Sequence, residues 1–154
     1  MPAGYSFTTV GSLALTAATA KTILNVINSS TGLIRLIAFS VSFDGVTATA
    51  VPAVVELCQS TQAGGGTPGT GPTIVQERGP TRTVQATAAQ GYTAEPTALT
   101  AFQRYFVPTF NGVLAIQFPL GREPEMITAS RGICLRVTAP AVVNCSGWFE
   151  FEEG

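Results

Sequence analysis

Two glutamates, Glu123 and Glu125 in the segment REPEM, are the nearest this sequence comes to an acid/base pair. On an extended strand, residues i and i+2 project from the same face. Glycoside hydrolysis instead needs two carboxylates facing one another across a bound sugar, so the spacing predicts solvated or ion-paired glutamates. Ser130 and Ser146 are candidate nucleophiles without an activating base, because the 154 residues include no histidine and no lysine lies near either serine in sequence. Without histidine the chain lacks the one side chain whose unperturbed pKa lies near neutrality, and with it most Ser-His-acid, Cys-His and His-metal arrangements. The run GGGTPGTG at 64 to 71 is glycine-rich, but it lacks a G-K-[ST] ending and has prolines, which carry no N–H donor, close by. It predicts a loop, not a phosphate cradle.

Cys58, Cys134 and Cys145 are odd in number, sit in strand-like runs and show no C-x-x-C spacing. They predict buried free thiols. A Cys134–Cys145 bridge would require the two to lie on neighbouring strands. Asn28-Ser29-Ser30 and Asn144-Cys145-Ser146 match the N-glycosylation acceptor pattern, which arises often by chance and is read here as turn or strand polar residues. No catalytic, cofactor-binding or metal-ligating residue is expected, and no cofactor.

The composition narrows the partners. Only 11% of residues are charged against 45% hydrophobic, so the polar surface must come from Thr, Ser, Gln and backbone, a surface suited to packing against other protein. The net charge is −1, Lys21 is the sole lysine, and the arginines are scattered singly from Arg35 to Arg136. No basic stripe is available to displace counterions, which argues against nucleic acid as a partner. The longest apolar stretches, such as LIRLIAFSV at 33 to 41, are broken well short of a membrane span of about 18 residues. The opening MPAGYSFTTV has no basic region followed by an apolar core, so no secretory signal is expected and the chain reads as soluble.

The elements that would carry these residues are strands. GICLRVTA places Ile133, Leu135 and Val137 on one side, and GWFEFEE places Phe149 and Phe151 opposite Trp148, Glu150 and Glu152. Residues 33 to 43 set Phe39, Val41 and Phe43 against Ala38, Ser40 and Ser42 and stop at Asp44-Gly45. In FQRYFVPTFNGVLAIQFPLG, Asn111-Gly112 between apolar runs predicts a β-hairpin over 102 to 121, with Leu114, Ile116 and Phe118 sharing a face. Further strands are expected at 5 to 15, 21 to 28, 51 to 59 and 73 to 77, with one helical turn at 97 to 103. About eight short strands at this spacing predict a single all-β domain over 1 to 154, an antiparallel β-sandwich that is jelly-roll-like. The stretches 62 to 72 and 85 to 99 become loops at one end of it. Residues 21 to 28 and 33 to 38 are apolar on both faces, which calls for cover by another subunit or by the chain's own loops, the subunit being preferred. Trp148, opposite the core face, marks a contact patch or a second core face.

Several segments together carry a resemblance: SFDG at 42 to 45, VEL at 55 to 57, TAEPT at 93 to 97, PLG-x-EP at 119 to 124, RVTAP at 136 to 140 and EFEE at 150 to 153. Across roughly residues 20 to 153 the sequence resembles small virion structural proteins, capsid decoration or minor capsid, of tailed phages infecting actinobacteria. The resemblance implies a tumour-necrosis-factor-like jelly roll that is no enzyme, forms a homotrimer and binds the major capsid protein on the capsid surface, after synthesis in the host cytoplasm. On that expectation Tyr105, Phe106 and Trp148 are the candidate trimer interface. Tyr5 and Phe7, in a candidate N-terminal arm over 1 to 10, are the candidate capsid contact. The rival expectation is a tail-associated or glycan-binding adhesion module that uses the two loops, with Tyr92 and Glu95 as the residues that qualify.

Overall fold

The computed structural model describes residues 2 to 61 and 66 to 154, the side chain of Thr61 excepted. Residues 62 to 65, part of the glycine-rich loop, lie outside the described residues. The described chain forms twelve strands: β1 (Ala3–Thr8), β2 (Leu13–Leu15), β3 (Ala20–Ile27), β4 (Ile34–Phe43), β5 (Ala53–Thr61), β6 (Val75–Arg78), β7 (Thr87–Gln90), β8 (Leu99–Val107), β9 (Val113–Gln117), β10 (Glu125–Met126), β11 (Arg131–Thr138) and β12 (Val143–Glu153). They lie in two antiparallel sheets. Sheet A, of seven strands, runs β10-β4-β12-β1-β6, with β9 also on β4 and β2 also on β12; sheet B, of five, runs β7-β3-β11-β5-β8.

The order β1-β12-β4-β9 in one sheet and β3-β11-β5-β8 in the other is the interleaving of a jelly roll. The expected all-β sandwich is therefore what the chain forms. The strands beyond the eight of a minimal roll are the short β2, β6, β7 and β10.

Period-two alternation fixes the inner faces. Phe149 and Phe151 of β12, Phe39 and Val41 of β4, and Ile133, Leu135 and Val137 of β11 are all essentially solvent-free, as the sequence requires. The aromatic centre is built by β1 against β12: Tyr5 stacks on Phe151 at 5.5 Å between ring centroids, and Phe7 meets Phe149 edge-on at 5.6 Å. Each such ring, fully buried, is worth roughly 2–3 kcal/mol of hydrophobic stabilisation. Gly147 faces inward because a Cβ there would come within 3.0 Å of the Leu24 side chain of the opposite sheet.

The structure corrects several expectations. The arm expected over 1 to 10, of which Met1 lies outside the described residues, is not formed by residues 2 to 10, because Ala3–Thr8 is a strand hydrogen-bonded on both sides, to β12 and to β6, with Tyr5 and Phe7 in the core. Apolar alternation at Tyr5 and Phe7 made the segment more favourable inside the sandwich than outside it. The hairpin over 102 to 121 does not form: β8 pairs with β5 in sheet B and β9 pairs with β4 in sheet A, so Asn111-Gly112 joins the two sheets. Asn111 does adopt the left-handed conformation expected of it, with φ 49°, but its N–H donates to the carbonyl of Gly45, and Phe43 N–H donates to that of Gly112. The helical turn at 97 to 103 is instead the start of β8. Ala and Leu favour a helix only locally, and the ladder to β5 outweighs that preference.

Two bulges account for part of the two-sided apolar runs. Between Leu135 and Arg136 of β11 the partner strand carries one extra residue, Ile23, so that Ile23 and Leu24 both enter the core. A second register shift, between Glu150 and Phe151, leaves Ile37 of β4 unmatched. The outer face of β3 is covered by the chain itself: after β7 the backbone continues along β3, with Tyr92 N–H donating to Thr22 O at 3.1 Å, and the Tyr92 side chain lies buried at Asn25. Cover by another subunit is not needed there.

Candidate functional site

The residues singled out for chemistry are all engaged structurally. Glu125 forms an ion pair with Arg35 at 2.6 Å, and Glu123 accepts the Gly121 N–H at 2.6 Å within the β9–β10 turn. Ser146 shares a hydrogen bond of 2.9 Å with Thr9 Oγ1, and Ser130 sits in a turn at φ 67° with its N–H on the Asn28 carbonyl. Neither hydroxyl has a general base in these contacts. Among the described residues no group of three or more His, Cys, Asp or Glu is placed to hold a metal ion, and no helix is long and apolar enough to cross a membrane.

The cysteines are free and buried. Cys134 and Cys145 are not neighbours: Cys145 faces the core from sheet A, whereas Cys134 belongs to sheet B, where its cross-strand partner is Cys58. Burial pushes the thiol of Cys58 up to about 11 and those of Cys134 and Cys145 up to about 12. At neutral pH these are inert thiols, since the thiolate is the reactive form.

The long loops also turn inward. Tyr92 is 3% exposed and its hydroxyl accepts a hydrogen bond from Asn25 Nδ2 at 2.9 Å; burial raises its phenol above the ordinary value. Glu95 accepts from Thr22 N–H at 2.9 Å and from Thr22 Oγ1 at 2.6 Å, pinning the segment after β7 onto sheet B. The aromatic and acidic residues that qualified these loops for glycan binding are thereby spent on holding the loop down. Residues 66 to 71 run beside β7, with Gly69 N–H on the Gln90 carbonyl.

The three candidate interface residues do not share a surface. Tyr105 points into the sandwich, its ring 6.1 Å from Phe39 and its hydroxyl donating to Gln103 Oε1. Phe106 follows it on β8 and faces outward from sheet B, while Trp148 faces outward from sheet A, on the opposite side of the molecule. Alternation along each strand was legible in the sequence, but the sheet to which each strand belongs was not.

Around Trp148 the outer face of sheet A is built of small side chains. Across the strands β1, β12, β4 and β9 the register reads Thr8, Trp148, Ser40, Ala115, and the next row toward Asp44 reads Ser146, Ser42, Val113. The half-buried indole is the only large ring in these rows. The charges of this face gather at one end, where Arg78 bridges Glu150 at 2.6 Å and Glu152 at 2.9 Å. At the other end the Asp44 carboxylate takes both the N–H and the side-chain amide of Asn144, which lowers its pKa below the ordinary range. Between them lies a nearly uncharged plane. Sequence reasoning found Trp148 but missed this plane, because its serines and alanines become neighbours only through pairings between distant strands.

No protein-family model and no curated protein matches the chain. Among solved structures, a chain of the T13 IBDV viral particle is 11% identical, with a TM-score of 0.22 over 98% of this chain and 39% of its own. This chain thus spans well under half the length of that one, and a likeness at this level carries no argument about role.

Proposed function

We propose that this chain is a non-enzymatic capsid decoration protein of a tailed phage, a jelly-roll protomer that trimerises and binds the outside of the major capsid protein lattice. The trimer forms through the outer face of sheet A around Trp148, and neither nucleic acid nor membrane takes part. The observation that supports this reading most directly is the outer face of sheet A, in which a half-buried Trp148 is set among small, uncharged side chains. Such a surface loses little hydration when covered by a neighbouring copy of the chain, and a central aromatic supplies the anchor that interfaces concentrate their energy in. The segments that resemble phage virion proteins supply the particle.

A symmetric assembly that binds the closed shell in preference to free subunits stabilises the shell by linkage, and multivalent attachment strengthens it without new chemistry. A tail-associated or glycan-binding role has less support, since Tyr92 and Glu95 are engaged internally.

The test is solution mass by light scattering, followed by mixing with undecorated capsids and co-sedimentation. A stable trimer that saturates capsids at fixed stoichiometry is the expected result, and Trp148→Glu should yield a folded species of one-third the mass. A monomer that ignores capsids would overturn the reading.

A further inference from the structure

We propose that two copies of this chain pair antiparallel along β8, about a two-fold axis through Tyr105, joining their two five-stranded sheets B into one.

An unpaired edge strand presents a row of backbone N–H and C=O groups, and proteins blunt such edges by shortening, covering, bulging or charging them. Among the described residues three of the four edges are blunted, those of sheet A being shared by β9 with the two-residue β10 and by β6 with the three-residue β2. At β7, of four residues, the chain covers its own edge with Gly69, whose N–H donates to the Gln90 carbonyl. At β6, also four residues long, the Gln76 side chain folds over the carbonyls of Arg78 and Pro80. At β9, of five residues, prolines follow closely at Pro119 and precede at Pro108. The fourth edge, β8, has nine residues, no proline and no lysine, and among the described residues nothing but β5 hydrogen-bonds to its backbone.

The phase of the ladder identifies which groups are free. Asn28 N–H donates to the Arg131 carbonyl, so that carbonyl points to the β3 side of β11. Alternation along β11 then turns the backbone groups of Cys134 and Arg136 toward β5. Their partners Cys58 and Glu56 direct theirs back at β11, which leaves Val55 and Leu57 bonding to Tyr105 and Gln103 of β8. Arg104 and Phe106, between and beyond these, therefore aim their N–H and C=O away from the sheet.

A two-fold axis at Tyr105 sets Arg104 of one copy opposite Phe106 of the other, twice. All four outward N–H and all four outward C=O of these residues are then directed at one another. The side chains agree. Phe106, 69% exposed, meets a guanidinium, a favourable cation–ring contact. The two Arg104 charges are not opposed, and each is already met by its own Glu56 at 2.6 Å. The register shift in β8 falls at Phe102, outside the run Gln103–Val107 that pairs. The edge is thus complementary to itself and carries no unbalanced charge that an oppositely charged strand of another protein would answer. A second copy is the occupant.

The test uses the intact chain and two readouts. Light scattering over a concentration series should reveal a species of twice the basal mass, whether that basal unit is a monomer or a trimer, and Phe106→Lys should abolish the doubling. The Trp148→Glu variant should keep it, which separates this pairing from the association through sheet A. Residue-resolved hydrogen exchange on the unsubstituted protein supplies the second readout, independent of how the variants fold. The Arg104 and Phe106 amides should slow at least tenfold from dilute to concentrated protein, while exposed turn amides do not. Equal exchange at all concentrations, or protection that appears only when capsids are added, overturns the proposal.

Discussion

Glu56 illustrates how single side chains hold this molecule in place of a dense ionic surface. Its carboxylate is almost buried on the outer face of sheet B and takes Arg104 at 2.6 Å and Arg136 at 2.8 Å. Burial alone would raise its pKa, but the two guanidiniums outweigh burial and hold it below the ordinary 4.5. A carboxyl with a depressed folded value contributes its full stabilisation above the unfolded value and loses it as pH falls through the folded one. Glu56→Ala should therefore cost about 3 kcal/mol by urea denaturation at pH 7, near the low end for a broken buried pair because Arg104 is largely exposed. The cost should begin to shrink as pH falls below the unfolded value of about 4.3 and should be lost only through the lower folded one. The cysteines make a second prediction at this scale. With thiols pushed to about 11 and 12 by burial, none should react with a thiol reagent at pH 7.5 in the native state, and all three should react in denaturant.

Among the elements, the crossing between β8 and β9 shows what local chemistry can and cannot specify. Asn111-Gly112 announced a left-handed residue and a tight type I′ turn; Asn111 is left-handed at φ 49°, but Gly112 is not, and the pair forms a bend between the sheets instead of that turn. A hairpin was expected because turn residues say nothing of which strands flank them, and here the flanking strands find partners farther away. The glycine is required for another reason: a Cβ at Gly112 would collide with the carbonyl of Pro108. Gly112→Ala should lower stability by more than about 2 kcal/mol, read as a fall in Tm, although its conformation is open to any residue. The strap after β7 is the other informative element. Tyr92→Phe removes the acceptor of the Asn25 amide at a fully buried position, and should cost about 1–2 kcal/mol while leaving the sheet intact. The inner faces of β4, β11 and β12 were legible because alternation has a period of two. The bulges at Ile23 and Ile37 were not, since an extra residue in one strand is defined only against its partner.

For the whole molecule, class and composition were readable early and assembly was not. Few charges, scattered turns and apolar alternation led to a sandwich. The plane around Trp148 depends on β1, β12, β4 and β9 lying side by side, an order that no local pattern encodes. Residues 1 to 10 mark the largest reversal, from a docking arm to a central strand. Removing residues 1 to 8 should therefore abolish the cooperative thermal transition, because Phe149 and Phe151 lose the rings packed on them. Retention of a folded, cooperative core would contradict that placement.

The pairing of Ala3 with Glu153 carries a consequence for how the chain is made. During synthesis at roughly 5–20 residues per second, the first strand leaves the ribosome several seconds or more before its partner exists. Throughout that interval Tyr5 and Phe7 have no ring to stack on, and sheet A lacks the strand at its middle. The nascent chain can gather β3, β11 and β5 before it can close, so residues 148 to 153 complete a strand made long before them. Abundant expression should expose that unfinished edge to other nascent copies, and a lower expression level or a holding chaperone should raise the soluble yield more than any change to the mature surface.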